Sequence, residues 1–173
     1  PLNKAGLASL TAQMMNETTQ GFTNEEMANQ LALLGSSIRF DANGRYTTVR
    51  ISSLTRNLDA TLTLLNKKLF NPAFLENDFL RLKQRTVQSL QQQVKNPSVL
   101  ANRAVSELLF GENNRVSLPD SGTLQTLSNI TLDDVKRYYQ QYYSPAKANV
   151  VIVGDIEEKS LQTALSFLTS WPA

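Results

Sequence analysis

The chain has 173 residues, enough for one domain that buries roughly 70% of the surface its unfolded form exposes. Hydrophobic residues make up 41% and charged residues 18%, a globular balance that excludes disorder and collagen-like repeats. Lys and Arg number 17 against 15 Asp and Glu, a net charge of +2, and there is no His and no Cys; disulfides, thiolate nucleophiles, imidazole bases, Ser-His-Asp triads and Cys/His zinc sites are all removed.

In chain order, Lys4 to Thr19 carries Leu7, Leu10 and Met14 with Ala8 and Met15 at helical spacing, and Gly21 stops it. Thr23-Asn24-Glu25-Glu26 reads as a capping box for a second helix with Met27, Leu31 and Leu34 on one face, closed at Gly35. The period then changes from 3.6 to 2. Ser37–Ala42 and Arg45–Ile51 flank Asn43-Gly44, whose tolerance of positive φ favours a type I′ hairpin pairing Ala42 with Arg45, Phe40 with Thr47 and Ile38 with Val49. Ile38, Phe40, Val49 and Ile51 then share one face, and Arg39, Asp41, Tyr46, Thr48 and Arg50 the other.

Leu58, Leu62, Leu65 and Leu69 make the next helical stripe, ended by Asn71-Pro72. A longer helix over 74–94 turns Phe79, Leu82, Val87, Leu90 and Val94 inward and leaves a polar face that includes Gln88, Gln91, Gln92 and Gln93. Pro97 starts another, with Leu100, Ala104 and Leu108 inward. Residues 111–122 read as an irregular segment, and Thr131 caps a helix with Val135, Tyr138, Tyr139 and Tyr142 towards its core side. Ala148–Gly154 reads as a short covered strand, and residues 157–168 as a last helix with Leu161, Leu165 and Leu168 inward. The order predicts an α+β domain, two layers, with helices packed on a small, mostly antiparallel sheet.

Chemistry is scarce. The pairs Glu25-Glu26, Asp133-Asp134 and Glu157-Glu158 all sit in first helical turns, where caps and the helix dipole account for them without an active site. No glycine-rich phosphate loop, block of like charges for nucleic acid, or apolar run of about 18 residues for a membrane occurs. The cluster Tyr138, Tyr139, Tyr142 and Tyr143 reads as core or interface packing before a stacking platform.

Two linear signals remain. One is Gly6-Leu7-Ala8 running into Ser9-Leu10-Thr11-Ala12-Gln13. The other runs from Asn129 through the capped helix at Thr131, Tyr142-Tyr143-Ser144-Pro145 and Val153-Gly154-Asp155, with Asn71-Pro72-Ala73-Phe74 and Asn96-Pro97 between the two. Together and in this order they resemble the insulinase/pitrilysin family of zinc metallopeptidases, over nearly the whole chain. The match is to the first repeat of an inverzincin lobe minus its opening strands, so residues 1–173 are read as a single domain and a fragment of a longer chain.

The resemblance implies the inverted zinc motif H-x-x-E-H directly after Gly6-Leu7-Ala8, with two zinc-binding His and a Glu base. Here the His positions hold Ser9 and Gln13 and the base position holds Ala12. The family's third ligand, a Glu eight residues before a recurring Pro, falls at Ser89 when counted back from Pro97. The implied reading is an inactive lobe: no catalytic residue, no metal site and no cofactor of its own, with zinc only in a sister active lobe on the same chain or a partner subunit. Such a lobe supplies chamber wall, substrate contact and a lobe–lobe interface for peptide hydrolysis performed by its sister. Arg39, Tyr46 and Arg50 face either that chamber or the outer side of the sheet, and no substrate-binding residue is carried over. The alternative is a scaffold or assembly subunit resembling the core proteins of respiratory complexes. The absence of Cys, with the export common among bacterial relatives, points to the bacterial periplasm.

Overall fold

The computed structural model describes residues 2–112, 114–144 and 148–170. Its elements are α1 (Leu7–Asn16), α2 (Asn24–Leu33), β1 (Ser37–Ala42), β2 (Thr47–Ser52), α3 (Leu58–Phe70), α4 (Glu76–Gln93), α5 (Pro97–Phe110), α6 (Leu124–Ser128), α7 (Leu132–Tyr142) and α8 (Glu158–Ala164). Helices pack on a two-stranded antiparallel sheet, as the sequence pattern requires. The core joins Leu10, Met14 and Met15 of α1 to Met27 of α2, Phe40 of β1, Leu62, Leu65 and Leu69 of α3, Phe79 and Leu82 of α4, and Val135 of α7. The apolar stripes of α1, α2 and α3 thus point where their spacing places them. Thr23 caps α2 and Thr131 caps α7, each in a full capping box, with Glu26 and Asp134 as the reciprocal partners.

Five expectations need correction. The hairpin forms, but in a register shifted by two residues: Ala42 pairs with Thr47, Phe40 with Val49 and Ile38 with Ile51. The side chain of Asn43 is the reason. Its Oδ1 accepts from the amides of Arg45 at 2.9 Å and Tyr46 at 3.0 Å, so the turn spans Asn43 to Tyr46. Neither Asn43 nor Gly44 takes the positive φ that a type I′ turn needs. Because the shift is even, Ile38, Phe40, Val49 and Ile51 keep one face.

Residues 148–153 are not a strand. Extended backbone needs a ladder partner, and among the described residues none lies beside them. Val151 is 85% and Val153 96% exposed, although all of Val150, Val151, Ile152 and Val153 border a small apolar cavity of about 210 Å³ shared with Ile51, Leu58 and Leu62. Helix α5 forms but buries none of its residues, and Leu108, expected inward, is 86% exposed. Among the described residues its stripe has no layer to pack against. The long helix starts at Glu76 rather than residue 74, because Phe74 takes a left-handed φ of 44° that places its buried ring edge-on to Tyr139 at 5.3 Å. Val94, expected inward, is exposed just past its end.

The start of α1 is fixed by backbone passing backbone. Gly6 and Gly122 both have positive φ, and a Cβ on Gly122 would lie 2.3 Å from the Ala5 carbonyl oxygen. Close by, Asp134 ties α7 to the segment before α1. Its buried carboxylate takes Lys4, 130 residues away, Arg137 at 2.6 Å, and the amide and hydroxyl of Thr131. Burial alone would raise its pKa, but hydrogen bonds from Lys4, Thr131 and Arg137 hold the carboxyl well below the usual carboxylate range.

Two substitutions test these contacts. Gly122→Ala should lower stability by about 2–4 kcal/mol in urea unfolding, because the methyl group strains a positive-φ position and collides with backbone. Asp134→Asn should cost about 1–3 kcal/mol near neutral pH. A depressed carboxylate pKa stabilises above the unfolded value and ceases to do so as pH falls through the folded one. The gap between wild type and Asp134→Asn in urea midpoint should therefore hold above the ordinary Asp value of 3.8 and close progressively below it.

Candidate functional site

Helix α1 presents a polar stripe, Ser9, Gln13 and Asn16, on the side away from Leu10 and Met14. This stripe, β1 and the face of α4 that carries Arg85 and Ser89 enclose a groove of about 780 Å³, with Met27, Leu31 and Leu82 as its apolar floor. All four positions singled out in the sequence, Ser9, Ala12, Gln13 and Ser89, line it. The fold brings together residues from two helices far apart in the chain, as the spacing requires.

Their chemistry is neutral. The Gln13 amide donates to the Ser9 hydroxyl at 3.4 Å, and Ser89 accepts from Gln93 at 3.3 Å. Ala12 is buried and has no polar atom. Two hydroxyls and a carboxamide do not fit a zinc ion, which takes imidazole, thiolate or carboxylate in a tetrahedral set. Among the described residues no three of His, Cys, Asp or Glu come together. The donor set offers no activated water and no base.

Three residues whose roles the sequence does not declare shape the groove. Asn16 donates from Nδ2 to the Phe40 carbonyl at 2.8 Å and accepts at Oδ1 from the Phe40 amide at 2.9 Å. Its carboxamide thus takes the place of a neighbouring strand on the edge of β1 that faces away from β2. Ile38 and Ala42 have the same parity as Phe40, so their amides and carbonyls face the groove. Asn16 could have been found as the third member of the stripe begun by Ser9 and Gln13. Lys68, buried at 3% exposure among the leucines of α3, donates to the carbonyls of Asn16 and Glu17 at the C-terminal end of α1. Burial pushes its amine pKa down, against the pull of Glu17. A buried Lys in a leucine stripe leaves no signal in sequence. Arg85 lies one turn before Ser89 on the same face of α4.

The other sequence candidates separate. Arg39 lines the groove and pairs with Asp41 at 3.2 Å, whereas Tyr46 and Arg50 do not line it. Tyr143 is buried and Tyr139 donates to the Leu69 carbonyl, so these two are core residues. Tyr142 is exposed and stacks at a tilt on Tyr138 at 4.6 Å. Gln88, Gln91, Gln92 and Gln93 form a solvated face.

Comparison with known proteins accords with this geometry. Residues 1–118 match the family model described as Insulinase (Peptidase family M16), and residues 129–173 the model described as Peptidase M16 inactive domain. A Helicobacter pylori protein named Non-peptidase homolog YmxG is 28% identical over 170 residues, 96% of this chain and 39% of that protein. The crystal structure of a peptidase M16 inactive domain from Pseudomonas fluorescens superposes with a TM-score of 0.90 at 22% identity, covering 97% of this chain and 41% of that one. The periplasmic protease PqqL of Escherichia coli superposes with a TM-score of 0.81 at 18% identity, covering 98% of this chain and 20% of PqqL. The chain spans about two fifths of the length of the first two relatives. None of these is a respiratory-complex core protein, and that alternative finds no support.

The Asn16 pairing generates a direct test. Asn16→Ala leaves the amide and carbonyl of Phe40 without partners and should cost about 1–3 kcal/mol. Asn16→Asp keeps the acceptor but sets a carboxylate oxygen against the Phe40 and Ala12 carbonyls, so near neutral pH it should be no more stable than Asn16→Ala in thermal unfolding.

Proposed function

We propose a role built on one premise: the chain belongs to the insulinase family, peptidase family M16. Within that family it is an inactive domain, non-catalytic on its own. Its task is to hold peptide rather than cut it, as one wall of a chamber whose hydrolytic zinc centre sits on a sister lobe. The carrying observation is that Ser9, Ala12, Gln13 and Ser89 line a single groove: the frame that would seat a metal persists while every ligating side chain is neutral. Beside it run the open-edge amides and carbonyls of Ile38 and Ala42 and an apolar floor, which suit an extended peptide.

Two uncovered surfaces support a place in something larger. One is the apolar face of α5, with Val105, Leu108 and Leu109 exposed; the other is Val150–Val153 beside the outer cavity at Ile51. In this reading residues 1–173 are a single domain of a longer chain. A sister lobe covers the first surface, and strands outside these residues pair with the second. Related lobes occur as paired halves of one chain, as in PqqL, whose first half has been solved separately. PqqL is described as periplasmic, and among the described residues no helix is long and apolar enough to cross a membrane; we place this protein in the periplasm as well.

The test combines metal analysis with a peptidase assay. The purified chain should hold no stoichiometric zinc and show no chelator-sensitive hydrolysis of an unstructured peptide. One tightly held zinc per chain, or cleavage abolished by a chelator, overturns the proposal.

A further inference from the structure

Five charged side chains line the groove: Glu17, Arg39, Asp41, Lys68 and Arg85. Four have partners within the chain. Asp41 takes Arg39 and, at 3.9 Å, Arg50. Glu17 takes Arg81 at 2.7 Å and Asn24 at 2.9 Å. Lys68 is buried against helix-end carbonyls. Arg85 is exposed and has no hydrogen bond, ion pair or ring contact among the described residues.

Among the described residues Arg85 is therefore the one charged group of the groove left without a partner. Arg85 stands one turn from Ser89 on α4, across the groove from the open edge of β1, with the apolar Leu82 one turn below it. A guanidinium presents a planar fork of N–H donors that matches a carboxylate two bonds at a time. One guanidinium offers one such fork, so a single carboxylate satisfies it.

We infer that Arg85 makes the groove selective for peptides bearing a single carboxylate opposite it, from an acidic side chain or a free C-terminus. The inference rests on the peptide-holding reading above and adds what that reading lacks, a basis for choosing among peptides. Arg85 is a specificity residue here; no bond is made or broken.

The test is fluorescence anisotropy on the full chain with three labelled Ser/Thr/Val host peptides. One has a central Glu and an amidated end, one a central Gln and an amidated end, and one a central Gln and a free C-terminal carboxylate. Wild type should bind at least one carboxylate peptide about 3- to 10-fold tighter than the neutral one, and which of the two gains identifies the source. Arg85→Gln should abolish that preference, with an unchanged far-UV circular dichroism spectrum and unfolding midpoint reporting an intact fold. Arg103→Gln, a control on α5 that removes a cation paired with Glu107 outside the groove, should retain it. Equal binding of all three peptides by wild type, or a preference that survives Arg85→Gln, overturns the inference and leaves the peptide groove standing. Binding of none overturns the groove reading, and the inference with it.

Discussion

Asn16 meets β1 as another strand would, donating to the carbonyl and accepting from the amide of one residue, Phe40. That single carboxamide ties the end of α1 to the sheet, and the position of α1 decides the shape of both the groove and the core. It sets the polar stripe of Ser9 and Gln13 opposite α4 and presses Leu10 and Met14 into the core. It also leaves the last turn of α1 where the Lys68 ammonium can satisfy the carbonyls of Asn16 and Glu17. The pairing has a cost for binding. An extended peptide laid along β1 finds the middle of the edge taken, so it reaches Ile38 and Ala42 but not Phe40. Continuous strand addition is interrupted, and recognition shifts towards side chains at the rim.

The same helix is held at its other end by charge and by the absence of side chains. Lys4 reaches Asp134, and the Gly6 and Gly122 backbones cross where no Cβ fits. Asp134 caps its own helix through Thr131 and pairs with two cations, so one carboxylate joins local capping to the longest-range contact of its kind here. A groove with no chemistry of its own is for this reason still rigidly built. Fixing both ends of α1 keeps the groove open although nothing within it requires a metal.

Local signals in the sequence were reliable wherever one element settles them. The capping boxes at Thr23 and Thr131 and the leucine stripe of α3 depend on a few neighbouring residues and form as those residues dictate. The positions Ser9, Ala12, Gln13 and Ser89 could be aligned with one another because family spacing carries information that composition does not. What failed depends on partners. The Asn43-Gly44 turn lost to an Asx turn made by the same Asn, a competition invisible in a propensity. Val150–Val153 has strand composition, yet composition cannot supply the neighbour that a ladder needs. Likewise α5 has a sound apolar stripe and, among the described residues, no layer on which to lay it. Asn16, Lys68 and Arg85 were missed for a related reason: a polar residue at a helical position declares its role only once the facing element is known.

Loss of a catalytic centre removes constraints unevenly. A metal site fixes its ligands and the charge around them, since two imidazoles and two carboxylates must share one small volume. Once Ser, Ala, Gln and Ser stand there, nothing in the groove needs its electrostatics balanced around a dication. The remaining charges then settle by ordinary pairing, Asp41 with Arg39 and Glu17 with Arg81, and the one left over governs what the groove attracts. Arg85 stays solvated and unpaired among the described residues. In the proposed reading, the groove that places Ser9, Ala12, Gln13 and Ser89 together offers an anionic peptide group a guanidinium beside an open strand edge, and it selects rather than cuts.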